Sequence, residues 1–269
     1  MTDAPGSPED AVRRGDEPSC PELGTEQGRR VLRLLWEPEP ESPGPSRGPK
    51  PKLTLDAIVA AGTAIADADG VADLSMRKVA ARLGVGAMSL YTYLPGRDEL
   101  IELMVDRAHS ELDYPEPDLG WRARVEFLVT ERWHLYQRHP WLLDLNMARH
   151  PVGPHILDAE EALYAAVAST GLTGSQVVSI TDLILWQLLG AARSQISEAD
   201  EARRTGVSAE SYWDSRASFW GTYFSPERFP TTYAIWQAGG FDDEQAHAFD
   251  RQLVRLLDGI EASLEPGDL

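Results

Sequence analysis

From Thr54 onward the apolar positions Leu55, Ile58, Val59, Gly62, Ile65 and Ala66 recur at i, i+3, i+4 and i+7, which predicts one stripe of an amphipathic helix. Thr54 is placed to cap its start and Gly70 to stop it. A second helix is expected after Ser75 as N-cap, with Met76, Val79, Ala80 and Leu83 turned inward and Gly84 in the left-handed C-terminal position. A third, short helix covers 87–94 and is closed by Pro95-Gly96; a fourth covers about 97–110. After Tyr114-Pro115-Glu116-Pro117 the period stays helical in pieces at about 121–138, 141–148, 154–169, 174–203, 209–223, 226–237 and 242–264. No segment alternates convincingly at period two. The fold class is therefore all-α, a small helical unit followed by a larger helical domain.

Residues 1–51 lack this pattern. They hold 10 of the 19 prolines and 6 of the 22 glycines, with one apolar island, Val31-Leu32-Arg33-Leu34-Leu35-Trp36. Most of this stretch is expected to be disordered, the island either docking on the body or forming a short helix before Pro38. The rest, in a chain of 269 residues that is 42% hydrophobic, is long enough to bury a core unaided. The single cysteine, Cys20, has no partner and reads as a surface thiol in a reduced compartment. The longest apolar run, 180–192, is broken by Asp182 and Gln187 and falls short of the roughly 20 residues that span a bilayer. With no secretory signal visible at the start, the expected location is cytoplasmic, with no membrane partner.

Charge changes the picture twice. The net charge of −18 at first argues against nucleic acid, because phosphate binding rests on clustered Lys and Arg. Divided along the chain, residues 1–46 carry 5 basic and 10 acidic residues, 47–93 carry 6 and 4, and 94–269 carry 14 and 29. A small positive segment sits on an acidic body that repels DNA everywhere else. That segment is also where a supporting helix, a turn at Leu83-Gly84-Val85-Gly86 and a short helix follow one another, the arrangement that lays a recognition helix in the major groove. On the short helix Ala87, Leu90 and Leu94 share the inner face. Met88 and Thr92, flanked by Ser89, Tyr91 and Tyr93, offer hydroxyls and methyl groups on the outer one. Just upstream, Arg47-Gly48-Pro49-Lys50-Pro51-Lys52 reads as a basic arm for the minor groove or as a solvating linker.

Thr54-Leu55-Asp56-Ala57-Ile58-Val59, Ser75-Met76-Arg77-Lys78-Val79-Ala80-Ala81-Arg82-Leu83-Gly84-Val85-Gly86-Ala87-Met88-Ser89-Leu90-Tyr91-Thr92-Tyr93-Leu94 and Arg97-Asp98-Glu99-Leu100 together resemble the N-terminal domain of the TetR family of transcriptional repressors. The remaining chain resembles, more weakly, the C-terminal domain of its tetracycline-repressor-like branch. Departures from the family pattern are Gly86, Leu94 and Arg97, where Ser or Thr, an aromatic and Lys are commoner. The resemblance implies a tail over 1–46, a helix-turn-helix DNA-binding domain with arm and linking helix over 47–111, and an effector-binding and dimerisation domain over 117–266. It places Arg77, Met88, Ser89 and Thr92 at bases, Tyr91, Tyr93 and Arg97 on phosphates, and Arg47, Lys50 and Lys52 in the arm, with Ser75 and Ala87 also at the DNA surface. Lys78 reads as a solvated surface lysine.

Seven of the eight tryptophans lie at Trp121 or beyond. The helix from Gly174 is apolar nearly all round, and the last helix carries a stripe through Phe249, Leu253, Leu256, Leu257 and Ile260. In the family these two helices pair with their mates in a homodimer, which implicates these residues together with Ile184 and Leu188; the alternative is that both helices only close a monomer core. The resemblance also implies an enclosed small-molecule effector, for which Trp133, Tyr136, Asn146, Trp186, Gln187, Arg193 and Trp213 are candidates. Arg193, in so apolar a helix, must snorkel, pair with an acid or meet an anionic ligand group.

An enzyme alternative is a di-iron carboxylate bundle, since Glu131-Arg132-Trp133-His134 and Glu244-Gln245-Ala246-His247 are both Glu-x-x-His. Helical phase opposes it, turning Glu244 about 180° and His247 about 120° from the Leu253 stripe. A ligand-binding module that ignores DNA is the other alternative. The expected function is a ligand-responsive regulator, a repressor of double-stranded operator DNA, with no catalytic residue, cofactor or metal; a histidine such as His134, His139 or His155 could still bring metal to an effector.

Overall fold

The computed structural model describes residues 25–37, 53–145, 151–241 and 248–264, and no strand occurs among them. The first element is α1 (Glu26–Trp36), started by the Thr25 side chain, which accepts from Gly28 N at 3.1 Å. Val31 is buried, and Leu34 and Leu35 pack against the core. The apolar island thus both forms a helix and docks on the body, and the helix starts ahead of it, at Glu26. Val31, Leu34 and Leu35 give the helix one apolar face, and packing stabilises what propensity alone does not.

The first unit consists of α2 (Leu55–Asp69), α3 (Met76–Leu83), α4 (Ala87–Leu90) and α5 (Arg97–His109). Its starts and stops are local chemistry. Thr54 Oγ1 accepts from Ala57 N at 3.1 Å and Ser75 Oγ from Lys78 N at 3.3 Å. Gly84 ends α3 at φ 67°, ψ 33°, where a Cβ would be strained. The short helix α4 stops sooner than the spacing predicts. Tyr93 N and Leu94 N both converge on the Leu90 carbonyl, at 3.0 and 3.2 Å, and the Thr92 hydroxyl donates to Ser89 O at 2.7 Å. Gly86 supplies no side-chain cap, so little holds α4 in a longer ladder. α2 and α5 cross at Gly62, where a Cβ would lie 2.8 Å from Met104 Sδ and 3.3 Å from Leu100 Cδ2.

The second unit is built from α6 (Trp121–Arg138), α7 (Pro154–Ala168), the long α8 (Gly174–Thr205), the short α9 (Ala209–Asp214), α10 (Ser218–Thr222) and α11 (Pro230–Gln237), and α12 (Ala248–Ser263). α6, α7 and α8 pack on one another and α12 lies along α8, while α5 packs on both α2 and α7 and so belongs to both units. Buried residues from Leu53 to Ile260 form one continuous core. Where a helix was expected over 141–148, a 3-10 turn runs Pro140–Asp144. The segment expected as one helix over 209–223 breaks into α9 and α10, the Ser215 hydroxyl turning back to Tyr212 O at 2.7 Å. The piece expected from 226 starts at Pro230, whose ring suits the first helical turn. α8 alone among the described residues has the length and composition to cross a membrane; here its Val177, Thr181, Ile184, Leu188 and Ala192 stripe is buried against neighbouring helices.

Candidate DNA-binding surface and effector cavity

On α4 and the turn that follows, Leu90 is wholly buried while Met88 is 78% exposed, and Ser89, Tyr91 and Thr92 are exposed beside it. Arg77 is exposed on α3. The inward Leu90 thus fixes an outward face of one thioether, three hydroxyls and one nearby guanidinium. Ser75 is occupied as the cap of α3, and Ala87 is half-buried.

Two expected phosphate ligands, Tyr93 and Arg97, bond to backbone carbonyls within the chain. Tyr93 donates its hydroxyl proton to Leu53 O at 3.0 Å, which ties the turn to the entry of α2. Arg97 donates from Nε to Leu74 O at 2.8 Å and from Nη2 to Val71 O at 2.7 Å, so its guanidinium satisfies the carbonyls between α2 and α3. Lys78 is paired with Asp73 at 3.2 Å and Asp69 at 3.8 Å. The arm residues Arg47, Lys50 and Lys52 lie outside the described residues.

In the second unit a cavity of about 940 Å³ opens between α6, α8 and α12. Trp133 and Phe249 form one wall, their rings stacked with centroids 4.1 Å apart and planes 8° from parallel. Gln187 Nε2 donates to Gln252 Oε1 at 2.8 Å on the rim, and Ser194, Glu198 and Arg255 complete a polar edge. The lining is thus aromatic on one side and polar along its edge, the pattern of small-molecule pockets.

The structure brings only Trp133 and Gln187 of the expected effector residues to this cavity. Tyr136 is buried, and burial raises its pKa against the opposing pull of Arg132. Trp186 is 68% exposed, and Trp213 lines a separate cavity of about 570 Å³ with Phe219, Trp220 and Phe224. Arg193 donates to the Leu143 carbonyl, a destination that sequence reasoning did not weigh. Asn146 lies outside the described residues. Phe249, Gln252, Arg255 and Glu198 were not anticipated; the available signal was the small-residue row Gly190, Ala191, Ser194, Ala199 and Ala202 on α8, which leaves the space.

The expected dimer residues lie mostly inside this chain. Ile184, Leu188, Phe249, Leu253, Leu257 and Ile260 are all at most 7% exposed within this chain, and Leu256 is half-buried at the cavity. Helical phase turns them to the chain's own core. Val178, Leu183 and Trp186 of α8 and Val254 of α12 are the exposed apolar residues of the same two helices.

Three carboxylates tie the units together. Asp106 of α5 accepts from His155 N at 3.0 Å, Ile156 N at 3.2 Å and His155 Nδ1 at 2.8 Å, and so caps α7. Asp67 of α2 meets His139 Nδ1 and Trp141 Nε1, each at 2.7 Å, and Glu111 meets His139 Nε2 at 3.2 Å. Beside them His109 is held neutral, its pKa lowered to about 4 by burial and by Arg132, against the Val105 carbonyl that supports its proton. Arg132 is itself buried, which lowers its pKa, and its Nη1 has no hydrogen-bond partner. Of the metal alternative, Glu131 and His134 face each other at 3.9 Å with His134 exposed, and Glu244 and His247 lie outside the described residues. No group of three or more potential metal ligands occurs among the described residues.

Known proteins carry the same two-part arrangement. Residues 58–104 match the description "Bacterial regulatory proteins, tetR family", and residues 114–264 match "Tetracyclin repressor-like, C-terminal domain". The chain is 41% identical over 234 residues to the HTH-type transcriptional repressor DrrR1 of Streptomyces coeruleorubidus, covering 86% of this chain and 85% of that protein. It is 32% identical over 217 residues to an HTH-type transcriptional regulator of Saccharopolyspora erythraea, covering 80% and 87%. Among solved structures it is similar to ActR from Streptomyces coelicolor, at 26% identity, over 80% of this chain and 98% of that one. The TM-score is 0.67 for the apo form and 0.68 for the complex with actinorhodin. The chain therefore belongs to the tetR family of bacterial regulatory proteins, with a helix-turn-helix unit ahead of a tetracycline-repressor-like domain.

Proposed function

We propose that the protein is a homodimeric repressor that grips operator DNA through α3 and α4 and lets go when a flat aromatic small molecule enters the cavity walled by Trp133 and Phe249. The observation that carries the DNA reading is the outward Met88, Ser89, Tyr91 and Thr92 face above a fully buried Leu90. A dimer axis would set two such faces about 34 to 36 Å apart, one turn of DNA. The paired surface is the outer side of α8 and α12, through Val178, Leu183, Trp186 and Val254. Arg47, Lys50 and Lys52, just ahead of α2 in the chain, extend the contact into the minor groove.

The ligand part rests on the cavity and on the actinorhodin complex of ActR. A ligand that separates Trp133 from Phe249 moves α6 and α12, and α6 adjoins α7, which Asp106 of α5 caps. The effector shifts DNA affinity by as much as it prefers the released arrangement. The protein acts by binding, without catalysis, on the chromosome in the cytoplasm. Titration onto its own upstream DNA tests the reading: a specific complex that weakens with salt is expected, and a folded dimer that forms none would overturn it.

A further inference from the structure

We infer that α1 is part of the DNA-binding surface, with Arg30 and Arg33 contacting the phosphate backbone beside each half-site. The inference rests on the DNA-binding reading above and adds an element that neither matched family segment, 58–104 or 114–264, contains.

The helix-turn-helix unit is short of available cations. Between Leu53 and Arg97 the sequence has Arg77, Lys78, Arg82 and Arg97. Lys78 is paired with two aspartates, and Arg97 is held by two carbonyls. The recognition face of Met88, Ser89, Tyr91 and Thr92 is uncharged. Yet duplex binding draws on Lys and Arg that displace counterions, and a chain of net charge −18 needs them where it meets DNA.

α1 supplies them at the right place. Its eleven residues include Arg29, Arg30 and Arg33 against a single acid, Glu26. The helix is held at both ends: the Gln27 amide bonds the Glu99 carboxylate of α5, and Trp36 Nε1 donates to Val152 O, just ahead of α7, at 2.8 Å. Between these anchors Arg30 Nη2 lies 3.4 Å from the carbonyl oxygen of Thr92, an exposed residue of the recognition face. A phosphate that approaches Thr92 meets the Arg30 guanidinium, which retains further N–H donors. Arg33, one turn along and exposed, continues the same cationic strip.

The test is fluorescence anisotropy of the full-length protein on a labelled upstream duplex and on a scrambled duplex, across a salt series, for wild type, Arg30→Ala and Arg33→Ala. Each substitution is expected to weaken both duplexes several-fold alike and to flatten the log–log salt slope by about 1 for each phosphate it no longer neutralises, hence about 2 per dimer. Arg30→Lys should restore most of the slope. An affinity and slope equal to wild type in both alanine variants would overturn the inference while leaving the repressor reading intact. A weaker complex with an unchanged slope would also overturn it, since Arg30 would then act only by bracing Thr92. A wild-type protein that forms no salt-dependent complex would remove both readings together.

Discussion

Trp141 donates its indole N–H to Asp67 Oδ1 over 2.7 Å, from the 3-10 turn of the second unit to the first helix of the DNA-binding unit. His139 reaches the same oxygen at 2.7 Å. The two units are thus joined directly as well as through α5. Trp141→Phe keeps a ring in a site that is 1% exposed and removes the donor to a charged acceptor. A loss of about 1 to 3 kcal/mol in urea unfolding is expected, with a weaker effect of ligand on DNA release. An unchanged urea midpoint would mean that this bond contributes nothing to holding the units together.

Gly153 is the second sensitive point. A Cβ there would lie 2.1 Å from Asp106 Oδ1 and 2.4 Å from its Cγ, and both are part of the group that caps α7. Gly153→Ala is expected to displace the carboxylate and cost about 2 to 4 kcal/mol, from the missing cap and an overpacked site. The double change with Asp106→Ala should be scarcely worse than Asp106→Ala alone. Additive losses in thermal melts would show that the clash is relieved elsewhere.

The basic and aromatic residues near the recognition turn should sort by role. Arg97→Ala removes two bonds to carbonyls and should lower stability by about 1 to 3 kcal/mol, Tyr93→Phe by about 1. Arg77→Ala and Thr92→Ala should stay within about 0.5 kcal/mol of wild type and change base preference instead. Urea curves alongside binding to single-substituted operators separate the two groups. Equal stability losses in all four would erase the distinction.

His109 gives the fold a dependence on acid. Its folded pKa is lowered to about 4 from 6.5, so between those values the unfolded chain binds the extra proton. Its contribution is complete above pH 6.5 and is lost as pH falls toward 4, by about 3 kcal/mol in all. Urea unfolding at pH 7 and pH 5 should therefore differ more for wild type than for His109→Gln. Identical pH dependence in the two proteins would assign the effect to other groups.

Trp186→Glu tests the proposed dimer face. The side chain is 68% exposed, so the subunit should fold unchanged, while a pair of buried glutamates at the axis should split the dimer. Sedimentation velocity should show monomers, with operator affinity reduced at least tenfold. A dimer that survives would move the seam away from this part of α8.

The ends of α2 and α3 were legible because their causes are local: Thr54, Ser75, Gly70 and Gly84 act on neighbours within four residues. The recognition face was legible for the same reason, through the spacing of Ala87, Leu90 and Leu94. Phase on α8 was not. A helix apolar on nearly every side gives no sign of which stripe meets its own core, and Ile184 and Leu188, expected at a dimer seam, are buried within the chain. The partners of Tyr93, Arg97 and Arg193 are backbone carbonyls, which no residue type announces. The seat of α1 depends on Glu99, Thr92 and Val152, residues 72, 62 and 116 positions from their partners in sequence.

At Gly62 the missing side chain of α2 leaves a notch that the Met104 thioether and Leu100 of α5 fill. Two rods keyed in this way cannot turn independently. The helix-turn-helix unit and α5 therefore behave as one piece, and the Asp106 attachment to α7 sits only two residues from Met104 in the joint. In the proposed release, a tilt delivered at Asp106 would pass through this joint to Met88 and Thr92. A side chain at residue 62 would force Met104 and Leu100 aside, and the hand-over from Asp106 would weaken with the joint.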